Sequence, residues 1–269
     1  MRRKPIIALI YDFDGTLSPG NMQEFGFIQA IGSTPEEFWS KSDGIAKGQD
    51  ASNILAYMKL MYDEARKNGI RLTREDFRRY GSDIVLFDGV REWFRNVNEY
   101  GQRHGVIIEH YINSSGLKEI IEGSPIAKEF KHIFAGSFIY DEAGEAEWPG
   151  IAVDFTAKTQ FLFKIQKGIF SSRDAKRVNE SMAEDEKRIP FHQHDLLRRR
   201  RDRHPLHEGR EHVRRQLHRR VQSGGSPQAR IGPKTPEAGP RELHHAGCIQ
   251  QGIKDFPGGL RHHRQDQSG

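Results

Sequence analysis

The chain has 269 residues, of which 35% are hydrophobic and 29% charged, and its formal net charge is +5. This length allows one large domain or a core with a smaller insert. The single cysteine, Cys248, excludes an intrachain disulfide and a metal site built from several cysteines. No run approaches the roughly 18 consecutive apolar residues of a membrane span, so we expect a cytoplasmic protein with no membrane partner.

The charge is unevenly distributed along the chain. Residues 1–191 carry 26 Lys and Arg against 29 Asp and Glu, a net charge of −3, whereas residues 192–269 carry 16 against 8, a net charge of +8. The second part also holds 10 of the 13 histidines and has almost no apolar run. We therefore predict that residues 192–269 form a basic His- and Arg-rich tail that is irregular or disordered.

The first part reads as alternating strands and helices. The apolar run IIALIY at 6–11 is typical of a strand that is buried on both faces of a parallel sheet. Helical patterns then fill residues 33 to about 84, where the sequence TREDF predicts a capping box. Next come a helix at 89–105, a strand at 106–112, a short helix at 116–123, a strand and hairpin at 133–150 and a helix at 156–168. This order predicts an α/β fold with a parallel sheet and an all-helical insert after the first strand.

Asp12 and Asp14 lie directly after the first predicted strand, in the sequence DFDGTL. Open α/β sheets bind their ligands at the carboxyl ends of the strands. Residues two apart in an extended segment share a face, so both carboxylates can point toward one ligand. Gly15 permits a tight turn after them. A chance Asp-x-Asp in a loop is the alternative, because short motifs have real false-positive rates.

The run DFDGTL resembles the first motif of the haloacid-dehalogenase-like (HAD) superfamily. Residues from about 5 to 191 resemble its phosphoserine-phosphatase-like branch, which has a Rossmann-like core and a helical cap. The resemblance implies a core at 1–18 and 86–191 and a cap at 19–85. It also implies that Asp12 attacks phosphorus to form an aspartyl-phosphate, and that Asp14 protonates the leaving oxygen and later activates water.

The same resemblance implies a cofactor and a reaction class. Mg²⁺ would be held by the Asp12 carboxylate and by the backbone carbonyl of Asp14, where it neutralises phosphate charge. An acid at position 14 favours a phosphatase over a dehalogenase, since a halide leaving group needs no proton. A phosphotransferase stays open. The expected substrate is a small phosphorylated metabolite whose identity the sequence does not specify.

The second and third motifs of the family are matched by position. Ser114, at the end of the second strand, would hydrogen-bond a phosphoryl oxygen, and Ser115 is the adjacent alternative or a cap of the next helix. Lys158 is predicted to stabilise developing negative charge, in preference to Lys164 and Lys167. His110 is expected to be a satisfied strand histidine without a catalytic role.

Four aromatic residues of the helical insert allow two interpretations. They could line a substrate pocket beneath the cap, although aromatics at this spacing more often pack a core. The four are Phe25, Phe27, Phe38 and Trp39.

The fourth motif of the family, an apolar strand followed by GDGxxD, is missing where it is expected, after residues 189–191. The chain instead reads HQHDLLRRRRDRHPLHEG. With permitted codons, for example CAC CAA CAT GAT CTA CTT CGG CGA CGG CGA, reading one base later gives TNMIYFGDG. Continuing the same offset gives TNMIYFGDGETDIPCMK and, further on, a second strand and an amphipathic final helix. We therefore hypothesise a one-base shift of the coding sequence at about Phe191 to His192, which would leave this chain with little activity and poor solubility.

The rival interpretation is a non-catalytic protein whose basic tail binds nucleic acid. The four consecutive arginines and the net charge of +8 would supply phosphate contacts. The tail has no interleaved aromatics and no recognised nucleic-acid module, so nucleic acid is the less favoured partner.

Overall fold

A computed structural model describes residues 4–197 of the chain, and these residues all fall within one compact unit. The predicted irregular tail therefore lies outside the described residues from position 198 onward. Within residues 4–197, no helix has both the length and the apolar character needed to cross a membrane.

The described residues form a five-stranded sheet with the strand order β4-β3-β2-β1-β5. All neighbouring strands are parallel except β3 and β4, which form an antiparallel hairpin. The strands are β1 (Ile6–Tyr11), β2 (Ile107–Leu117), β3 (His132–Tyr140), β4 (Ala146–Ile151) and β5 (His194–Leu197). The α/β fold with a Rossmann-like, mostly parallel sheet is as predicted.

Helices occupy the connections between the strands. They are α1 (Phe27–Ala30), α2 (Pro35–Gln49), α3 (Asn53–Lys67), α4 (Arg74–Ser82), α5 (Val90–Arg103), α6 (Lys118–Gly123), α7 (Lys158–Lys167) and α8 (Ala175–Asn179). Short 3-10 helices lie at Met22–Phe25, Ala127–Glu129 and Phe191–Gln193. The predicted capping box forms at the start of α4, where Thr73 and Asp76 exchange hydrogen bonds.

Strand β1 is buried on both faces, and both faces are apolar. Ile7, Leu9 and Tyr11 belong to one buried cluster, and Ala8 and Ile10 belong to a second cluster on the other face. The strand order reverses at β1, since β2 and β3 follow on one side of it and β5 lies on the other. Such a switch point is where open α/β sheets bind ligands.

The segment between β1 and α5 is helical, as predicted, and it shares its core with the sheet. Phe77 of α4 stacks on Phe138 of β3 with ring centroids 5.7 Å apart. A Cβ on Gly81 of α4 would overlap the carbonyl oxygen of Ile120 in α6, so these helices cross with their backbones in contact. The boundaries of the cap at 19–85 stay a prediction.

The expectation that no strand follows Phe191 is wrong for the first residues of the tail. Residues His194 to Leu197 form β5, which pairs with β1 from Ala8 to Tyr11. The irregular segment therefore does not begin at His192. The pairing arises because this short stretch can satisfy the hydrogen-bonding groups of an otherwise open edge of β1, despite its weak apolar pattern.

Candidate active site

Asp12 stands at the end of β1, at the start of a tight turn. Its backbone N–H donates to the Leu197 carbonyl of β5 at 3.1 Å, and its Oδ1 accepts from the N–H of Phe13 at 3.0 Å. Phe13 is fully buried and its carbonyl accepts the N–H groups of Thr16 and Leu17. The buried phenyl ring and the turn thus fix the carboxylate of Asp12 at the carboxyl edge of the sheet.

Asp14 follows on the same turn, and the positive φ of Gly15 (70°) allows the chain to reverse after it. The Oδ1 atom of Asp14 accepts from the backbone N–H of Met22 at 2.9 Å. Burial, and secondarily the nearby charge of Asp12, raise the pKa of Asp14 to about 8. Its carboxyl group is therefore protonated near neutral pH and can donate a proton.

Lys158, the first residue of α7, reaches the first aspartate across the site. Its Nζ lies 2.9 Å from Oδ2 of Asp12, and their side chains are 20% and 33% exposed. Lys164 and Lys167 are elsewhere, since their ammonium groups donate to the carbonyls of Ser171 and Val178. Of the three lysines that the sequence offered, the structure brings Lys158 to the Asp12 carboxylate.

Ser114 and Ser115 lie where β2 leaves its regular register beside the Asp12–Asp14 turn. Ser114 is fully buried and its Oγ accepts from the N–H of Gly116 at 3.0 Å. The suggestion that Ser115 caps the next helix is wrong, because the residue in the cap position of α6 is Leu117. The Ser115 hydroxyl is buried and has no hydrogen-bond partner within residues 4–197.

Met22 and Gly116 hold residues 114–116 of β2, called the serine loop below, against Asp14. Neither Met22 nor Gly116 was predicted from the sequence. A Cβ on Gly116 would overlap the Met22 methyl group and would lie 3.1 Å from Oδ2 of Asp14. The Met22 sulfur also accepts from the N–H of Leu117 at 3.1 Å. Because Oδ1 of Asp14 already accepts from Met22, Oδ2 is the atom left to carry the proton.

Tyr57 connects the helical insert with the same loop. Its hydroxyl donates to the Ser115 carbonyl at 2.8 Å, and its ring lies edge-to-face with Trp39. The indole N–H of Trp39 donates to Glu24 at 2.8 Å. Tyr57 thus links α3 to the serine loop, and Trp39 links α2 to the 3-10 helix Met22–Phe25. No signal in the sequence identified Tyr57, since its partner is a backbone carbonyl 58 residues away.

The four aromatics of the insert mostly pack a core. Phe27 and Phe38 are buried in the main apolar cluster, and Phe25 and Trp39 are partly buried against it.

His110 is a buried strand histidine with both ring nitrogens satisfied, as predicted. Tyr11 accepts from the indole N–H of Trp93 at 2.7 Å, so its hydroxyl donates to Nδ1 of His110 at 2.8 Å. The Nε2–H of His110 then donates to Asn98 at 3.0 Å. Burial lowers the pKa of His110 to about 3, so the ring stays neutral and belongs to the packing of β2.

The donors at this edge suit a hard cation in kind. The Asp12 carboxylate and the Asp14 carbonyl are oxygen ligands of the type that Mg²⁺ prefers. Among residues 4–197, however, no cluster of three or more His, Cys, Asp or Glu side chains is arranged to hold a metal ion. The described residues therefore offer two oxygen ligands of the kind that a magnesium shell uses, and not a complete set.

Comparison with known proteins gives limited similarity. No protein-family model matches the chain. A protein of Borreliella burgdorferi, described as uncharacterized, is 28% identical over 213 residues, which are 70% of this chain and 73% of that protein.

Similar solved structures include a HAD family hydrolase from Salmonella enterica serovar Typhi, with 12% identity, 71% of this chain covered and a TM-score of 0.47. The match spans about 56% of the length of that hydrolase. Phosphoserine phosphatase from T. onnurineus has 16% identity, with 79% of this chain and 97% of that chain covered and a TM-score of 0.42. A substrate-bound phosphoserine phosphatase has 17% identity, with 62% and 72% covered and a TM-score of 0.43.

Proposed function

We propose that the protein from which this chain derives is a Mg²⁺-dependent phosphatase of the HAD superfamily that hydrolyses a small phosphomonoester. The observation that supports this most is the convergence of Asp12, Asp14 and Lys158 at the carboxyl end of β1, with Lys158 Nζ 2.9 Å from Asp12 Oδ2. The DFDGTL motif of the first turn belongs to the same site.

Each side chain of the site has a defined part in the proposed reaction. An oxygen of Asp12 attacks phosphorus while the bond to the leaving oxygen breaks, and Oδ2 of Asp14 gives that oxygen its proton. Water then attacks the aspartyl-phosphate, Asp14 takes back a proton, and inorganic phosphate leaves. The ammonium of Lys158 and the hydroxyl of Ser114 stabilise the phosphoryl oxygens.

Asp12 and the carbonyl of Asp14 would hold Mg²⁺ in this scheme. The bound ion would offset phosphate charge that otherwise repels the attacking carboxylate. The remaining ligands belong to a fourth motif, which the printed sequence lacks after Leu197.

The test is hydrolysis of p-nitrophenyl phosphate with and without Mg²⁺, together with Asp12→Asn as an isosteric variant. We expect hydrolysis to require Mg²⁺ and to be lost in Asp12→Asn, because the amide is not a nucleophile. Glu36→Gln is the matched control, since it makes the same carboxylate-to-amide change at an exposed position on α2. Mg²⁺-dependent hydrolysis that survives Asp12→Asn contradicts the proposal.

We also propose that the coding frame changes near residue 192, and β5 supports this independently of any motif. Asp195 is 8% exposed in this strand, whereas Leu196 beside it is 56% exposed. A strand at the edge of a core normally shows the reverse order, because a buried carboxylate loses its hydration. With the example codons given above, the offset reading puts isoleucine and phenylalanine at the buried positions 195 and 197, and tyrosine, which has a polar hydroxyl, at the exposed position 196.

The end of β5 supports the same frame. The carbonyl of Leu197 accepts from the N–H of Asp12, so β5 ends beside the proposed nucleophile. The offset reading permits Gly-Asp-Gly at this point, where the given sequence has four arginines. The DNA across the codons for Pro190 to Asp202 and the intact mass of the protein test the frame directly. A confirmed printed sequence with a matching mass would contradict a sequencing error.

A further inference from the structure

Asn113 is a polar residue in β2, immediately before Ser114, at the point where the regular pairing of β2 with β3 is interrupted. It is 6% exposed, and it follows the apolar pair Tyr111 and Ile112, which are fully buried. Its Nδ2 donates to the backbone carbonyl of Lys158 at 2.9 Å. Since a carbonyl oxygen only accepts, this partner fixes the orientation of the Asn113 amide group.

The bond joins two groups of the candidate site. Lys158 is the first residue of α7, and its side chain reaches Asp12. The residue before it, Ala157, caps the helix without a side-chain hydrogen bond. The exposed Asp154 turn also holds this start, since its carboxylate accepts from the N–H of Ala157 at 2.7 Å. Asn113 therefore ties the start of α7 to the sheet from the buried side.

The other half of the amide group argues against a purely structural role. Oδ1 of Asn113 is buried and has no hydrogen-bond partner within the described part of the chain. A buried acceptor without a partner destabilises the folded state, and an apolar residue at this position would avoid that loss. A residue that stability alone does not favour is expected where function needs it.

We propose that Asn113 is a positioning residue that holds Lys158 in place against Asp12 through the Lys158 carbonyl. The residue touches no reacting atom in this scheme and acts through the lysine. The catalytic meaning of this inference rests on the proposed phosphatase function. The mechanical part, the fixing of the lysine, does not.

The experiment compares the full chain with Asn113→Leu, which removes the amide and keeps a similar volume. The full chain and the variant are treated with a limiting amount of an amine-reactive acetylating reagent, and mass spectrometry follows the acetylation of each lysine. We expect Lys158 to react at least threefold faster in Asn113→Leu because it leaves the ion pair more often. Lys164, on the same helix, is the internal control and should keep its rate.

Asn68→Ala is the matched control variant, because Nδ2 of Asn68 also donates to a backbone carbonyl, that of Glu64 in the helical insert. It should change neither lysine. Thermal unfolding is measured in parallel, and Asn113→Leu should not unfold at a lower temperature than the parent chain.

Three results would overturn the proposal: unchanged acetylation of Lys158, equal acceleration of Lys158 and Lys164, or a large fall in the unfolding temperature. The last two would show that Asn113 only stabilises the fold. Where the protein has phosphatase activity, Asn113→Leu should lower kcat about tenfold with little change in KM, and the effect should vanish in a Lys158→Met background. Absence of phosphatase activity in every form would refute the proposed function and leave the acetylation result valid for Asn113.

Discussion

The two strands that flank β1 differ in how well their sequences suit their positions. Strand β2 has 11 residues, of which Ile107 to Ile112 pair with the whole of β1, and it contains Ser114 and Ser115 further along. Strand β5 has four residues, and it directs Asp195 inward and Leu196 outward. Both strands form parallel backbone hydrogen-bond pairs with β1. The difference shows that hydrogen-bond pairing alone can place a strand whose side chains do not suit its two faces.

The test with the largest expected effect replaces residues 192–269 by the sequence that the frame shifted by one base encodes. We expect Mg²⁺-dependent hydrolysis of p-nitrophenyl phosphate to rise by about a thousandfold, because a completed metal site supplies several kcal/mol of charge stabilisation. Solubility should rise too, since the new strand faces and the final helix cover apolar surface. Steady-state kinetics measures the first effect, and the soluble fraction after centrifugation measures the second.

Asp12→Asn in the offset chain is the control for that gain and should abolish it. An offset chain that stays inactive and aggregates would remove the frame hypothesis, and β5 would then be the native edge of the sheet.

The sequence predicted the regular elements well where local and tertiary preferences agree. The run at 6–11 is apolar on both faces, and the Thr73–Asp76 capping box forms within one turn of helix. β5 was not predictable, since HDLL has neither alternation nor length.

The supports of the candidate site were missed for a related reason. Tyr57 and Asn113 both bind backbone carbonyls far away in sequence, at separations of 58 and 45 residues. Because every residue has a backbone carbonyl, a side chain that donates to one does not restrict the residue type of its partner. The sequence therefore does not show which residues are paired in this way. Such contacts depend on how the insert and α7 pack on the sheet, which periodicity does not encode.

The next test concerns β2, the strand whose side chains suit its position. Gly116→Ala places a methyl group against Met22 and beside Oδ2 of Asp14. We expect a loss of about a hundredfold in kcat in an active form of the protein, since a displacement of about 1 Å at a catalytic group has that effect. Overpacking should also lower the free energy of unfolding by about 1–3 kcal/mol.

Gly44→Ala is the matched control, because no atom lies within 4 Å of a Cβ at this exposed position of α2. It should raise the free energy of unfolding by about 0.5–1 kcal/mol and leave kcat unchanged. If both alanine variants behave alike, the close packing at Gly116 does not exist.

A smaller effect is expected at the poorly matched strand. Asp195→Val in the printed chain replaces a buried carboxylate by an apolar side chain on the inner face of β5. We expect the free energy of unfolding to rise by about 2 kcal/mol, because replacing a buried, partnered charge by a well-packed apolar side chain is often stabilising by about 1–4 kcal/mol. Urea unfolding followed by circular dichroism measures the change.

The paired variant Leu196→Thr, on the outward face of the same strand, should change the free energy of unfolding by less than about 0.5 kcal/mol. A loss of stability in Asp195→Val would mean that the carboxylate stabilises β5 in its printed frame, and the contrast between β2 and β5 would no longer indicate a frame change.

The smallest effect is the pH dependence that β2 contributes through His110. Burial lowers the pKa of this ring from 6.5 to about 3, so the folded chain keeps it neutral while the unfolded chain takes up a proton below pH 6.5. Stability from this residue is therefore fully present above pH 6.5 and declines as the pH falls toward 3, by at most about 1.4 kcal/mol per pH unit.

His110→Gln should flatten the fall in the free energy of unfolding between pH 6 and pH 5 by about that amount, as measured by urea titration. His132 and His194, whose pKa values burial lowers to about 4, leave a residual slope. His104→Gln at an exposed position should keep the full slope, and an unchanged slope in His110→Gln would mean that the ring is protonated inside the folded sheet.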